Sequence, residues 1–401
     1  MKIRLLQSAC VLWLAVFISG CRSGLTPLPP AGERSYQSIL EWTHQNGMPG
    51  AILLVQTPKT NFIGAVGWAD LKRKVPMQTN EEFRIGSITK TFTGITAARL
   101  QTQGLLDTDL IITNYLPASI TGHIRNSDKI TVRMLLRHQS GIYNYDDDFG
   151  YRLNAFVFDR RGDWPPLQEL KYAYDQPARF PPGEGWEYSD SNFLLLGLII
   201  DQVTGAHHSA AIRKEILEPL QLTNTYYEGY EPPRGERAHG YETMLGCRSD
   251  TYDWTPITGG NAGLVSTVSD LAIFVRAIGG TNNLLDSATK ELLRSEVRPG
   301  NETNSWDPVF GYDFGVTFHR GAPRTVPLSA APWFFGHDGA VPGSFCFAWH
   351  EPRNDITIVY FGSSMGLFSV AAKNRYTGKF QQQLESALFE LALRQTRGSD
   401  R

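Results

Sequence analysis

Phe83-Arg84-Ile85-Gly86-Ser87-Ile88-Thr89-Lys90-Thr91-Phe92-Thr93-Gly94 is the stretch from which the rest of the chain can be read. Gly86 supplies a flexible entry, and Ser87 stands where an N-cap or first-turn residue would. From Ile88 the apolar positions Ile88, Phe92, Ile95 and Ala98 recur at helical spacing, which predicts a helix closing at Gln103-Gly104. On that helix Ser87 and Lys90, three apart, project from one face. A serine hydroxyl attacks only once a base takes its proton, and a lysine can do so only if desolvation or a neighbouring cation lowers its pKa. The Ser87 N–H would lie at the positive end of the helix, suited to a developing oxyanion. Alone the tetrad is a weak signal, since an N-cap serine followed by a solvated lysine has the same spelling.

Working outward, the 401 residues are 41% hydrophobic and carry 38 basic against 40 acidic side chains, a net charge of −2. That balance excludes the basic footprint of a nucleic-acid binder, and the length predicts a large two-lobed domain. Lys2 and Arg4 precede an apolar run from Ala9 to Ile18, shorter than the roughly 20 residues a spanning helix needs. The run ends in Ile18-Ser19-Gly20-Cys21, which resembles the bacterial lipobox. By that resemblance residues 1–20 are a signal peptide, Cys21 is lipidated, and an exported protein is held to a membrane by acyl chains. The alternative is an ordinary secretory signal. Residues 21–33, with Pro27, Pro29 and Pro30, read as a tether. Cys10 lies in the signal, so Cys247 and Cys346 remain; an exported protein could pair them, and the favoured reading is two buried free thiols.

Tyr36–Asn46 reads as a first helix, followed by strands over Ala51–Gln56 and Phe62–Trp68 joined through Thr57-Pro58-Lys59-Thr60-Asn61. From Leu105 to about Val297 helices and loops dominate, with candidates at Val132–Arg137, Asn192–Val203, Ala210–Leu220, Ser269–Ile278 and Ser287–Ser295. Strands return at Gly315–His319, Trp333–His337, Ser344–His350 and Ile356–Phe361, and Gly378–Leu393 closes the chain as an amphipathic helix. The expected fold is therefore α/β of the α+β kind: an antiparallel sheet built from both chain ends (about 34–104 and 300–395) with flanking helices, and a mostly helical lobe (about 105–299) inserted between. A cleft between the two is the expected site.

Three further stretches bear on Ser87. Tyr188-Ser189-Asp190 precedes the apolar helix, Gly259-Gly260-Asn261-Ala262-Gly263 is a glycine-rich turn, and His337-Asp338-Gly339-Ala340 lies on or beside a strand. In this order, with Leu136-Arg137-His138-Gln139-Ser140-Gly141, they resemble the serine β-lactamase and penicillin-binding fold, in its class C β-lactamase, DD-carboxypeptidase and esterase branch, across about residues 34–393. The resemblance implies Ser-x-x-Lys at Ser87 and Lys90, Tyr-x-Asn at Tyr188 and Asp190, and Lys- or His-x-Gly at His337 and Gly339.

It further implies that Ser87 is acylated, that Lys90 and Tyr188 share its proton, and that the Ser87 and Ala340 N–H groups hold the oxyanion. Gly339 would admit substrate to the strand edge, and His337 would bind a substrate carboxylate or relay a proton. Asp190 departs from asparagine. An anion there would make Lys90 a poorer base and move that role to a Tyr188 phenolate. Asp190 also reads as the N-cap of the helix that follows, and His138 as a structural hydrogen-bonder behind the cleft. No His-Glu-x-x-His occurs and His207-His208 has no partner at ligand spacing, so no metal or other cofactor is expected.

Gly362-Ser363-Ser364-Met365-Gly366 has the spelling of a nucleophile elbow, but no histidine follows His350, so Ser364 reads as a turn serine. The expected function is a serine hydrolase acting through an acyl-enzyme on an amide or ester in a small molecule or peptide, D-alanyl-D-alanine carboxypeptidase- or esterase-like because of His337. The alternatives are a class C-type β-lactamase and a non-catalytic penicillin-binding or sensor lipoprotein.

Overall fold

A computed structural model describes residues 25–244, 247–279, 287, 310–320, 333–364 and 376–397. The signal segment and Cys21, most of the Ser287–Ser295 helix, and Met365-Gly366 lie outside the described residues.

In chain order, α1 (Tyr36–Gln45) is followed by β1 (Gly50–Gln56), β2 (Asn61–Asp70), β3 (Val75–Pro76) and β4 (Phe83–Arg84), which leads into α2 (Ile88–Thr102). Short helices then give way to α3 (Asp190–Thr204), β5 (Tyr226–Tyr227), a hairpin of β6 (Tyr241–Met244) and β7 (Cys247–Asp250), β8 (Leu264–Ser266) and α4 (Val268–Gly279). The C-terminal part supplies β9 (Phe310–Asp313), β10 (Val316–Arg320), β11 (Trp333–Val341), β12 (Ser344–Glu351), β13 (Ile356–Gly362) and α5 (Tyr376–Arg397). Among the described residues, eight strands form one antiparallel sheet in the order β3-β2-β1-β13-β12-β11-β10-β9, so the N-terminal and C-terminal parts meet at β1 and β13, Leu53 opposite Tyr360.

Both faces of that sheet are covered, which is why its central strands read as unbroken apolar runs rather than alternating ones. In β1, Ile52 and Leu54 point to the face packed by α2 and α4, while Ala51, Leu53 and Val55 join Trp42 of α1 and Leu384 and Leu388 of α5 on the other. The predicted strands and long helices stand with shifted ends. Ala210–Leu220 is instead an α-helical turn (His208–Ile212) running into a π-helical one (Arg213–Leu217). The middle of the chain also holds strands that its sequence does not announce: β4, β8 and β5 make a second sheet.

That small sheet positions the nucleophile segment. Ile85 N–H donates to the Leu264 carbonyl at 3.0 Å, fixing the entry to α2 against the glycine-rich turn. The spacing predicts one apolar face for α2, yet every residue from Ile88 to Ala98 is buried. Its threonines tolerate this because their hydroxyls find carbonyls, Thr91 on Gly315 at 2.5 Å and Thr93 on Gly260 at 2.7 Å. Gly94 is required there, since a Cβ would stand 1.9 Å from the Phe314 carbonyl oxygen. α3 stops where Thr204-Gly205 predicts, with Gly205 left-handed at φ 70°.

Candidate active site

Ser87 occupies the N-cap position of α2 but makes no side-chain cap bond, so its hydroxyl is left for other partners. Two donors reach its Oγ, Lys90 Nζ at 2.9 Å from one helical turn on and the Tyr188 hydroxyl at 2.9 Å from the loop before α3. Lys90 is fully buried and three times hydrogen-bonded: besides Ser87 it donates to Asp190 Oδ1 at 2.6 Å and to the Asn261 carbonyl at 3.1 Å. Its ammonium also lies 4.9 Å from the Tyr188 ring centroid and 5.9 Å from that of Phe193. Four separate stretches, around Ser87, Tyr188, Asn261 and His337, thus converge on one groove.

Asp190 is not the N-cap of α3. Ser189 holds that position and Asp190 is the first helical residue, its carboxylate turned to Lys90. Its backbone N–H is held by Asn144 Oδ1 at 2.9 Å, and Asn261 Nδ2 reaches Oδ1 at 3.3 Å while also bonding the Tyr145 hydroxyl at 2.9 Å. Asn261 is therefore a site residue that sequence reading left without a role. Its carbonyl, which residue type does not reveal, is what touches Lys90.

The electrostatics reverse the expected division of labour between lysine and tyrosine. Burial is the largest influence on Lys90 and lowers its pKa, with Asp190 opposing. Burial pushes the Tyr188 phenol well above 10, and the Asp190 charge adds to the rise, while the Ser87 bond opposes it. A resting phenolate at Tyr188 is therefore not the state of this site: the phenol is neutral, and Lys90 is the group whose proton is loosened.

His337 lies on β11, 3% exposed, with Nε2 3.2 Å from the Tyr312 hydroxyl and Nδ1 on the Asp338 carbonyl. Its ring centroid is 6.3 Å from that of Tyr188. Burial, opposed by the Asp338 charge and helped by Lys90, lowers its pKa, so at neutral pH it is an uncharged imidazole. That fits hydrogen bonding or proton relay and not the pairing with a carboxylate that a cation would give. Tyr312 was not singled out by sequence, because Phe310–Asp313 is too short and too mixed to read as a strand.

Among the described residues, β11 has no β10 partner beyond Gly336, and its edge from His337 to Val341 carries no second strand on that side. Ser87's neighbour Gly86 (φ 50°) packs on that edge, where a Cβ would come within 2.7 Å of the Ala340 nitrogen. Ser87 and Ala340 are thereby brought to the same place. A Cβ at Gly339 would stand 2.0 Å from the Ile85 carbonyl oxygen, so the close approach of the nucleophile segment by itself demands a glycine there.

His138 sits behind the site, fully buried with φ 56°. Its Nδ1 accepts from Ser189 N–H at 3.2 Å and from Asn192 Nδ2 at 3.0 Å, and its ring lies 4.4 Å from that of Tyr188. Both bonds are structural, as the sequence reading had it. Cys346 is a buried free thiol; the Cys247 side chain lies outside the described residues. His207-His208 does have a neighbour: Asp201, one helical turn before the end of α3, places Oδ1 2.9 Å from His208 Nδ1. The His208 Nε2 meets the Tyr227 hydroxyl at 2.8 Å, and His207 Nδ1 accepts from Ser209 N–H at 3.2 Å, so ordinary hydrogen bonds occupy three of these four ring nitrogens.

Comparison with known proteins bears on this geometry. The family model described as Beta-lactamase matches residues 35–382. Protein flp of Staphylococcus aureus is 30% identical over 218 residues, 52% of this chain and 41% of flp. Penicillin-binding protein 4* of Bacillus subtilis is 26% identical over 309 residues, 73% of this chain and 63% of that protein. The matched part thus falls short of two thirds of either relative. Among solved structures, a D-stereospecific amidohydrolase from Streptomyces sp. superposes with a TM-score of 0.72 at 27% identity, covering 84% of this chain and 97% of that one. The D-amino acid amidase of Ochrobactrum anthropi SV3 gives 0.74 at 22% identity over 90% and 99%, a likeness of fold.

Proposed function

This chain belongs to the beta-lactamase family, serine hydrolases that act on amides or esters through an acyl-enzyme, and from that premise we propose that Ser87 is its nucleophile, with Lys90 as base and Tyr188 as acid. The observation that carries the assignment is the pair of 2.9 Å bonds from Lys90 Nζ and the Tyr188 hydroxyl to Ser87 Oγ.

Ser87 Oγ attacks the substrate carbonyl carbon as its proton passes to the Lys90 amine, and the N–H groups of Ser87 and Ala340 receive the oxyanion. Tyr188, neutral at rest, gives its phenolic proton to the leaving nitrogen or oxygen. The phenolate so formed lies beside the new Lys90 ammonium, which stabilises it. In deacylation a water gives a proton to that phenolate and its oxygen to the acyl carbon, and Ser87 leaves with the proton from Lys90. The cycle ends with every group as it began. Asp190 holds Lys90 in reach of Ser87, and His337 with Tyr312 lines the leaving-group side.

The substrate reading is a carboxypeptidase- or esterase-like hydrolysis of an amide or ester. It is supported by a histidine rather than a lysine in the third motif and by the likeness to an amidohydrolase. The protein is further proposed to be exported and lipid-anchored through Cys21, on the sequence Ile18-Ser19-Gly20-Cys21 after a short apolar run. A fluorophosphonate or fluorescent penicillin, followed by intact mass, tests the chemistry. The wild type is expected to gain one label and Ser87→Ala none; an equal label on both would remove Ser87 from the role. Rapid loss of the penicillin adduct would favour the β-lactamase reading instead.

A further inference from the structure

Residues 21–33 read as a tether, yet from Leu25 onward the chain is laid on the body of the protein. Leu25 and Leu28 pack against the apolar layer beneath α1 and α5. Thr26 is held three ways: its N–H donates to Asn46 Oδ1 at 2.8 Å, its hydroxyl accepts from Asn46 Nδ2 at 2.7 Å, and its carbonyl accepts from Trp42 Nε1 at 2.7 Å. Trp42 is 1% exposed, so its indole N–H needs a protein acceptor, and this segment supplies it. Farther on, the Pro29 carbonyl accepts from Arg34 Nε at 2.9 Å and the Ala31 carbonyl from Arg394 of α5 at 2.6 Å. Arg34 also pairs with Glu390 of α5 at 3.1 Å. Residues 25–34 thus run back along α1, from its C-terminal end at Asn46 to its start at Tyr36, with α5 alongside.

These contacts would serve the fold wherever the protein resided. What gives them a further meaning is the short stretch before them. Only Arg22-Ser23-Gly24 separates Cys21 from Leu25. Four Cα–Cα steps reach about 14 Å at full extension, whereas a free chain from Cys21 to Arg34 would reach about 45 Å. The longer reach is close to the diameter of a body of this size, about 50 Å, and would let it turn in any direction. The shorter one does not. Ser87 heads α2 on the opposite face of the sheet, so the sheet and its α1–α5 layer stand between the anchor and the groove.

We propose that residues 25–34 are a strap that seats the α1–α5 side against the bilayer and turns the Ser87 groove to the aqueous side, where it meets water-borne substrate and not amides or esters lying in the membrane. The proposal rests on the lipid-anchor reading at Cys21.

The test uses the full chain, made with its own signal and reconstituted in phosphatidylcholine–phosphatidylglycerol vesicles that carry a nitroxide headgroup. A fluorophore is placed on Gln45→Cys, at the end of α1, or on Asp128→Cys in the helical lobe, both exposed positions, in Cys247→Ser protein. The Gln45 probe is expected to lose most of its emission to the nitroxide and the Asp128 probe to keep most of its own. A flexible Gly/Ser linker between Gly24 and Leu25, long enough to add about 20 Å of reach, leaves every strap contact in place and is expected to bring the two probes level. Asn46→Ala, which frees Thr26, is expected to narrow the gap in the same way; should it fail to fold, the linker variant is read alone. Hydrolysis of p-nitrophenyl acetate by the wild type is expected to be equally fast on vesicles and in detergent.

Probes quenched alike in vesicle-bound protein, a gap that survives the linker, or ester hydrolysis that the vesicles suppress overturns the orientation while leaving the anchor standing. Protein that does not float with the vesicles, or Cys21→Ser protein that still does, refutes the anchor and the proposal with it. The quenching needs no turnover, so it is read independently of the hydrolase assignment.

Discussion

The two faces of the central sheet are built to different ends. On one, Trp42, Leu53, Val55, Phe347, Ile358, Leu384 and Leu388 form an apolar layer beneath α1 and α5. On the other, an equally dry core encloses Lys90, Glu169, His138 and His337, each of them ionisable, with Asp190 partly exposed at its edge. Burying such groups costs several kcal/mol apiece unless they are paired or neutralised. The structure does both: Lys90 is paired with Asp190, and Glu169, His138 and His337 are held neutral by burial. One face secures the fold, and the other spends part of that stability on chemistry. The proximity of so many shifted groups is itself the mark of a site.

Substitutions that sort by face would sharpen this contrast, and substitutions that did not would break it. The largest effect is expected from Tyr188→Phe, which should lower kcat by about 10²–10⁴-fold while leaving the thermal midpoint close to wild type, read by ester hydrolysis and calorimetry. Next, Leu388→Ala on the opposite face should cost about 2–5 kcal/mol of stability in denaturant titration, with kcat/KM unchanged where the protein is folded. A loss of activity in the folded Leu388→Ala protein would mean that the faces are not separable.

A smaller effect is expected from Asp190→Asn. Asp190 raises the pKa of both Lys90 and Tyr188, so its removal should lower both. Activity needs Lys90 deprotonated and Tyr188 protonated, so both limbs of the pH–rate profile should move to lower pH. A fixed profile would exclude Asp190 from the proton balance. The smallest concerns the exception on the apolar face. Glu385, half-buried on α5 beside Trp349, has its pKa raised to about 7 by burial. A carboxyl whose folded pKa exceeds its unfolded value stabilises fully below the unfolded value, and that contribution is lost as pH rises through the folded one. Glu385→Gln should therefore raise the melting temperature more at pH 8 than at pH 5, with activity untouched.

The layout was legible from signals local to the chain, and all four converging stretches from those signals together with the resemblance of their motifs. Period 3.6 at Ile88–Ala98, long apolar runs in β1 and β13, and the spacing of Ser87 from Lys90 each need only neighbours in sequence. What was not legible depends on the surroundings. The direction of the Tyr188 shift follows from how deeply the ring is buried and from where Asp190 points, neither of which residue type specifies. Asn261 acts on Lys90 through its backbone, and Glu169 in Pro166–Leu170 reads as an ordinary solvent-facing helix residue until tertiary packing encloses it. Gly339 was legible as glycine, but the demand that Ile85 makes on it, from more than two hundred residues earlier, was not.

The register of Leu53 against Tyr360 has a consequence for biogenesis. Ser87 is made early, but the strand edge that frames it, and the two strands that tie that edge back to β1, are made near the end. A chain that has emerged only as far as the helical lobe therefore holds the Ser87 hydroxyl without the strand edge that frames it. Long-range pairing of this kind folds slowly, so the edge beside Ser87 is fixed only once β12 and β13 have joined β1.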